Sequence, residues 1–190
     1  MGRFGSMSYE IKPLSDTMQC VGPAVTVKAR PCDNLIVYKA LDLARPGDVL
    51  VIGVSGYTGS AVWGDITSLI AKKKNLAGMV TDGLVRDIQG IRRLQFPVFA
   101  RGAVPNSPFK DGPGQINVPI SCGGVGVEPG DIVVGDVDGV VIVPRGILEE
   151  VVSRALEIAA GELDKISAIE GGKLIPTWVD QKLREKGYSW

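Results

Sequence analysis

Apolar positions follow two different periods in this chain, and the change falls near its middle. In the first half, AVTVKA (24–29) alternates as a half-buried strand does. VLVIGV (49–54) and AGMVTD (77–82) are unbroken apolar runs between turns, the pattern of strands buried on both faces. PVFARG (97–102) is a further strand. Helical stretches separate them. Asp33 is placed to cap a helix over 34–44, with Ile36, Ala40 and Leu43 on one face. A second helix is predicted over about 65–75. Lys72, Lys73 and Lys74 end it, where the helix dipole favours cations. A short third helix starts at Asp87. Residues 55–64 form a Gly/Ser loop, and 103–116 form a loop with Pro105, Pro108 and Pro113.

The second half reads as INVPI, VGVEPGDIVVGD and DGVVIVP, short strands with tight turns and no helix between them. PGDVLVIG (46–53) and PGDIVVGD (129–136) echo each other as two turn–strand units. A long amphipathic helix is expected from about 146 to 170. Its Ile147, Val151, Ala155 and Ile158 should dock on the β meander. Glu149, Glu150 and Glu157 fall on its outer face. Polar residues 171–190 are a short second helix or a C-terminal arm. No interdomain linker is visible, so 1–190 reads as a single α/β domain. Its front half is β/α and its back half is a β meander closed by a helix.

Composition narrows the chemistry. There is no histidine among the 190 residues, which excludes Ser–His and Cys–His nucleophile pairs and imidazole metal sites. Lys+Arg 21 balances Asp+Glu 21, and aromatic residues are 6%, so neither the basic face nor the stacking platforms of a nucleic-acid binder are expected. Cys20, Cys32 and Cys122 lie far apart with no CxxC spacing, which suggests free thiols in a reducing compartment. No apolar run approaches a membrane span, and MGRFGSMSYE lacks the apolar core of a signal peptide. A cytoplasmic protein without a membrane partner is expected.

Within these limits, one constellation carries chemistry. Asp65 is followed twenty-one residues later by Arg86, and Arg86 by Asp87. The approach GVSGYTGSAVWG ends a strand and opens a helix, so free backbone N–H groups there can receive a small anion. It matches neither a P-loop nor a GxGxxG fingerprint. Arg86 and Asp87 follow the 77–82 strand, and ligands gather at the carboxyl ends of strands in α/β sheets. If the strands are neighbours, Asp65, Arg86 and Asp87 converge. The aspartates could hold a hard cation, and the arginine could grip a carboxylate. The local alternatives are that Asp65 is only a helix-start acid and Arg86–Asp87 only a helix-start pair. Asp82 reads as an Asx-turn residue rather than a catalytic one. The three lysines read as a solvated helix end rather than as a Schiff-base site.

The segments VGPAVTVKA, DNLIVYKAL, PGDVLVI, AVWGD, GMVTDGLVRD, FPVFARG and GGVGVEPGDIVVGDVDGVVIVP together resemble the RraA-like family. That family includes 4-hydroxy-4-methyl-2-oxoglutarate aldolases and regulators of ribonuclease E activity. The D-x20-R-D pattern resembles the aldolase-type members. The resemblance implies a layered α/β sandwich of the swivelling β/β/α type, assembled as a homotrimer or hexamer with its site near a subunit interface. It implies Mg2+ or Mn2+, a small 2-oxo acid substrate and pyruvate as product. By position, Asp87 would ligate the metal directly. Asp65 would hold it through water. Glu162 of an adjacent subunit would do the same. Arg86 would bind the substrate. Gly64, Asp65, Ile66 and Thr67 would offer backbone amides to its carboxylate. Many family members have GDLL or GELL where this chain has GDIT, and the family's N-terminal helical segment is shortened here.

The resemblance therefore implies a class II, metal-dependent pyruvate aldolase with oxaloacetate decarboxylase side activity. The alternative is a non-catalytic protein-binding regulator of ribonuclease E-type RNA degradation. A methyltransferase label is set aside, because no glycine loop with a following ribose-binding acid is present.

Overall fold

The computed structural model describes residues 1–2 and 4–188. The chain divides into two compact units, Met1–Leu148 and Glu149–Trp190. Positions 189 and 190 of the C-terminal arm lie outside the described residues.

The first unit is a mixed α/β fold built on one large sheet. Its strands begin with β1 (Lys12–Pro13), β2 (Cys20–Ala29) and β3 (Val49–Gly53). Next come β4 (Ala61–Trp63), β5 (Gly78–Thr81), β6 (Leu84–Val85), β7 (Val98–Ala100) and β8 (Gly102–Ala103). The back half holds β9 (Gly114–Ile116), β10 (Ile120–Cys122), β11 (Val125–Val127), β12 (Ile132–Asp136) and β13 (Gly139–Val143). The eight-stranded sheet runs β1-β7-β5-β3-β2-β12-β13, with β9 pairing to β2 off that path. Strands β2, β3, β5 and β7 are parallel, as the intervening helices require, whereas the meander strands β12 and β13 are antiparallel.

Both faces of the sheet are covered, which is why β3 reads VLVIG without a polar break. Leu50 and Ile52 point into the cluster with Val37, Leu41, Met79 and Ile91, while Val49 and Val51 point into the other with Phe99, Ile120 and Val133. The two PGD echoes share a local cause. Asp48 accepts from the Arg45 N–H at 2.7 Å, and Asp131 accepts from the Glu128 N–H at 2.9 Å, closing the same four-residue turn.

Helix α1 spans Leu35–Leu43 and buries Val37, Ala40 and Leu41. The expected face of Ile36, Ala40 and Leu43 is thus rotated, and Leu43 is 52% exposed. Apolar residues surround most of this helix, so their spacing alone does not select a face. Asn34 holds the cap position, and Asp33, one residue earlier, accepts the Leu35 N–H at 2.8 Å. Helix α2 spans Asp65–Lys73, and α3 spans Ile88–Leu94. β4 falls in the 55–64 segment expected as a loop, and β8 straddles the end of the expected 97–102 strand and the start of the 103–116 loop; with β6 they form a separate parallel ribbon in the order β4-β6-β8. β9 likewise lies inside the 103–116 loop.

The second unit holds most of α4 (Leu148–Glu170) and all of α5 (Trp178–Glu185). Neither helix has a buried residue among those described. The face of Ile147, Val151, Ala155 and Ile158, expected to dock on the meander, is therefore not buried: Ile158 is 51% exposed. A second line of apolar residues is present on the helix. Val152, Leu156, Ala159, Leu163 and Ile166 recur at alternating four- and three-residue steps, a narrow seam suited to another helix rather than to a sheet. No helix of the described residues is long and apolar enough to cross a membrane.

Burial separates the three thiols. It pushes Cys20 up to about 12 and raises Cys122 further, with the nearby Asp82 charge adding to it. Cys32 is only partly buried. At pH 8 a thiol-specific disulfide reagent should label Cys32 in the native protein, and Cys20 and Cys122 only after denaturation. Peptide mapping of the labelled chain checks this, and native labelling of Cys122 would contradict the burial argument.

Candidate active site

The β4–β6 ribbon builds the site. Ala61 pairs with Leu84 and Trp63 with Val85, with a register shift between them, and the Arg86 N–H donates to the Trp63 carbonyl at 3.0 Å. Residues 63–65 and 85–87 are therefore brought together. Trp63 anchors the ribbon from below: it is 1% exposed, its indole N–H donates to Ser68 Oγ at 2.6 Å, and its ring stacks on Phe96 with centroids 6.3 Å apart.

A cleft of about 200 Å³ opens above this ribbon. Gly64, Asp65, Ile66, Thr67, Arg86 and Asp87 all line it. Asp65, Ile66 and Thr67 form the first turn of α2, whose initial amides have no intrahelical acceptor. The Gly64 N–H is already used, donating to Thr67 Oγ1 at 3.0 Å, and Thr67 Oγ1 donates back to the Gly64 carbonyl at 2.9 Å. Thus the threonine of GDIT fastens the helix start, leaving the amides of 65–67 for an anion. Ile66 is 62% exposed at the mouth.

Close packing holds the charged groups. A Cβ on Gly64 would lie 2.7 Å from Asp87 Oδ2, and one on Gly90 of α3 would lie 2.7 Å from Asp65 Oδ2. A side chain at either position would have to displace a carboxylate of the cleft. Asp87 caps α3 in the left-handed region, at φ 59°. For a residue with a Cβ that conformation costs on the order of 1 kcal/mol, and such strain concentrates at functional sites. Arg86 Nε lies 3.2 Å from Asp87 Oδ2, and Arg86 Nη1 donates to Ser107 Oγ. Glu162 is exposed on α4.

The cleft also has lining residues that the sequence pattern did not single out: Asn34, Tyr38, Ser107, Pro108 and Lys110. Asn34 is 5% exposed, and its Oδ1 has no hydrogen-bond partner among the described residues. Lys110 Nζ sits 5.3 Å from the centre of the Tyr38 ring. For Ser107, Pro108 and Lys110 the signal was the length of the 103–116 loop, since long ordered loops are usually functional; Asn34 and Tyr38, at the head of α1, carried no such signal. Asp82 is not part of the cleft. Its carboxylate accepts from the Val54 N–H at 2.8 Å and the Gly56 N–H at 3.0 Å, tying the glycine loop to the end of β5. The local turn there is instead closed by Thr81 Oγ1, which accepts the Gly83 N–H.

Two carboxylates, one guanidinium and an open helix start thus share one small cleft, a set of groups with the chemistry to receive a small anion. Comparison with known proteins gives the family. The Aldolase/RraA model of the RraA-like family matches residues 1–142. A protein of Halalkalibacterium halodurans with the provisional name 4-hydroxy-4-methyl-2-oxoglutarate aldolase is 45% identical over 86% of this chain and 78% of its own length. A crystal structure from Pseudomonas syringae pv. tomato superposes with TM-score 0.77 at 32% identity, covering 88% of this chain and 81% of that one. The RNA-processing inhibitor RraA from Thermus thermophilis superposes with TM-score 0.68 at 29% identity, covering 73% and 84%. The chain belongs to the RraA-like family.

Asp33, beside the cleft, gives a pH-dependent consequence. Burial works to raise its carboxyl, but hydrogen bonds from the Leu35, Asp111 and Gly112 N–H groups and the Arg30 charge carry it below 3.8. A depressed folded-state value stabilises above the unfolded value, and that contribution is lost as pH falls through the folded one. Acid titration of the melting temperature should therefore show stability falling below pH 3.8. Asp33→Asn should flatten that fall, and an unchanged slope would contradict it.

Proposed function

We propose that this chain is a divalent-metal-dependent lyase that cleaves 4-hydroxy-4-methyl-2-oxoglutarate-type 2-oxo acids to pyruvate by retro-aldol chemistry. Oxaloacetate decarboxylation is its side activity. The observation that carries the reading is the shared cleft of Asp65, Arg86, Asp87 and the α2 start. The provisional aldolase name of the 45%-identical relative supports it.

The residues present suit a hard cation. Asp65 and Asp87 offer only oxygen, and no group of three or more ligating side chains occurs among the described residues. A cation held directly by Asp87, and by Asp65 through water, would keep most of its own water, as Mg2+ does and Mn2+ tolerates. When bound, the cation supplies a Lewis acid for the substrate's keto oxygen.

The chain's own groups do the rest. The Asp65, Ile66 and Thr67 amides bind the carboxylate next to the keto group. Arg86, its guanidinium oriented by Ser107 and Asp87, faces the negative charge that grows on the keto oxygen. Asp65 accepts, through water, the proton of the 4-hydroxyl as the C3–C4 bond breaks. The bonding electrons pass to the keto oxygen, and the same proton returns to C3, so one C6 dicarboxylate yields two pyruvates. Decarboxylation uses the same electron sink with carbon dioxide leaving.

We place the chain in the cytoplasm, in keeping with its three free cysteines. It acts as a homotrimer or hexamer, with Glu162 of an adjacent subunit holding metal-bound water. The uncovered apolar positions of α4 support that assembly. Similarity to an RNA-processing inhibitor favours a second reading, a protein-binding regulator of ribonuclease E-type RNA degradation.

Pyruvate release separates the two. It should stop with EDTA and return with Mg2+ or Mn2+. Absence of release from any 2-oxo acid under those conditions would leave the regulator reading. Arg86→Lys should lose on the order of 2–4 kcal/mol of transition-state stabilisation, because lysine keeps the charge but not the paired donors. Near-wild-type kcat/KM in that variant would place Arg86 outside the reaction. Gly64→Ala should weaken Mn2+ binding about tenfold by displacing Asp87, as losses of supporting groups do. Calorimetric titration checks this.

A further inference from the structure

We propose that Asp33 is a positioning residue, whose carboxylate straps residues 106–112 to the head of α1 and so sets Lys110 and Ser107 in the cleft wall. For what the cleft does, this rests on the lyase reading; the strap itself does not.

Asp33 is 3% exposed, and its two carboxylate oxygens divide their work. Oδ1 accepts the Leu35 N–H at 2.8 Å, at the start of α1. Oδ2 accepts the Asp111 N–H at 2.8 Å and the Gly112 N–H at 2.7 Å. Two backbone bonds run alongside: Phe109 N–H to the Cys32 carbonyl at 2.7 Å, and Asn34 N–H to the Phe109 carbonyl at 3.1 Å. The far end of the wall is tied down as well. Asn106 Nδ2 donates to the Gly59 carbonyl at 3.1 Å, and the Asn106 carbonyl accepts the Ala61 N–H at 2.9 Å.

Between these ties the segment presents Ser107 to Arg86 and Lys110 to Tyr38. Residue 34 stands beside them, with its buried Oδ1 unpartnered among the described residues. The site is thus walled on one side by a segment whose place depends on a carboxylate that does not line it. Asn at position 33 would keep the size but offer one acceptor oxygen, so it could serve the helix or the wall and not both. Gly112 is fitted to the same carboxylate: a Cβ there would lie 2.9 Å from Asp33 Cγ and 2.8 Å from Arg30 Cδ.

The test compares full-length wild type, Asp33→Asn and Gly112→Ala. Hydrogen exchange of peptides spanning 106–112 and acylation of Lys110 by an amine-reactive ester, read by mass spectrometry, report the wall without any turnover. Both should speed up about tenfold or more, while peptides from β3 and β5 stay protected. KM for a dicarboxylic 2-oxo acid should rise about tenfold, in the range that misplaced supporting groups cost, and kcat should fall as well, since Ser107 no longer holds Arg86 in place. If Asp33→Asn fails to fold, Gly112→Ala carries the same comparison. Unchanged exchange and Lys110 acylation in a folded variant would overturn the strap. A loosened wall with unchanged KM would overturn its part in the site. A wild type that releases no pyruvate would remove the lyase reading, while exchange and acylation still decide the strap.

Discussion

The parallel pairing of Ala61–Trp63 with Leu84–Val85 is the contact on which the site depends. Neither strand exceeds three residues, so the ribbon has little stability of its own. It persists because Trp63 and Val85 are buried in the same cluster as the helices and the main sheet. The register shift at Val62 re-aims the strand just before Gly64, which is what bulged pairings near sites commonly do. Each strand then ends at a helix start, and the two starts face each other.

Charge and space are coupled at that meeting point. Asp65 and Asp87 would repel one another if nothing intervened, and Arg86 Nε beside Asp87 offsets part of that cost. Glycines at 64 and 90 let the carboxylates sit against backbone, so each acid is fixed by packing without using up its oxygens on protein donors. A half-exposed acid with spare lone pairs can take a cation or a water. The same acid buried and saturated could take neither.

That contrast explains which parts of the chain were legible in advance. β3, β5 and α2 could be read because burial on two faces and a capped amphipathic turn leave local patterns in residues 49–54, 77–82 and 65–75. The triplet Asp65, Arg86, Asp87 stood out by residue type and spacing. The ribbon did not, since two or three residues are too few to show a period. The wall residues Ser107 and Lys110 could be read only as part of a long loop, because the bonds that place them join positions 33 and 111–112, a separation at which no local pattern survives. On α1 the excess of apolar residues blurred the buried face. On α4 the sequence reading followed Ile147, Val151, Ala155 and Ile158, whereas Val152, Leu156, Ala159, Leu163 and Ile166 form a separate line whose four-three stepping suits packing against a helix more than against a sheet.

Burial sorts the aspartates of this chain by task. Asp33, Asp82 and Asp131 are all nearly inaccessible, and each accepts at least two backbone N–H bonds from loops or turns. A carboxylate can remain inside only when donors replace the water it gave up. Those three are committed to holding chain segments in place. Among the described residues, Asp65 and Asp87 accept no backbone bond of that kind and sit at an open cleft, where water or a cation can complete them. In a chain without histidine, this division supplies both needs from one residue type: saturated aspartates make the loops rigid, and open ones remain available for proton and metal chemistry.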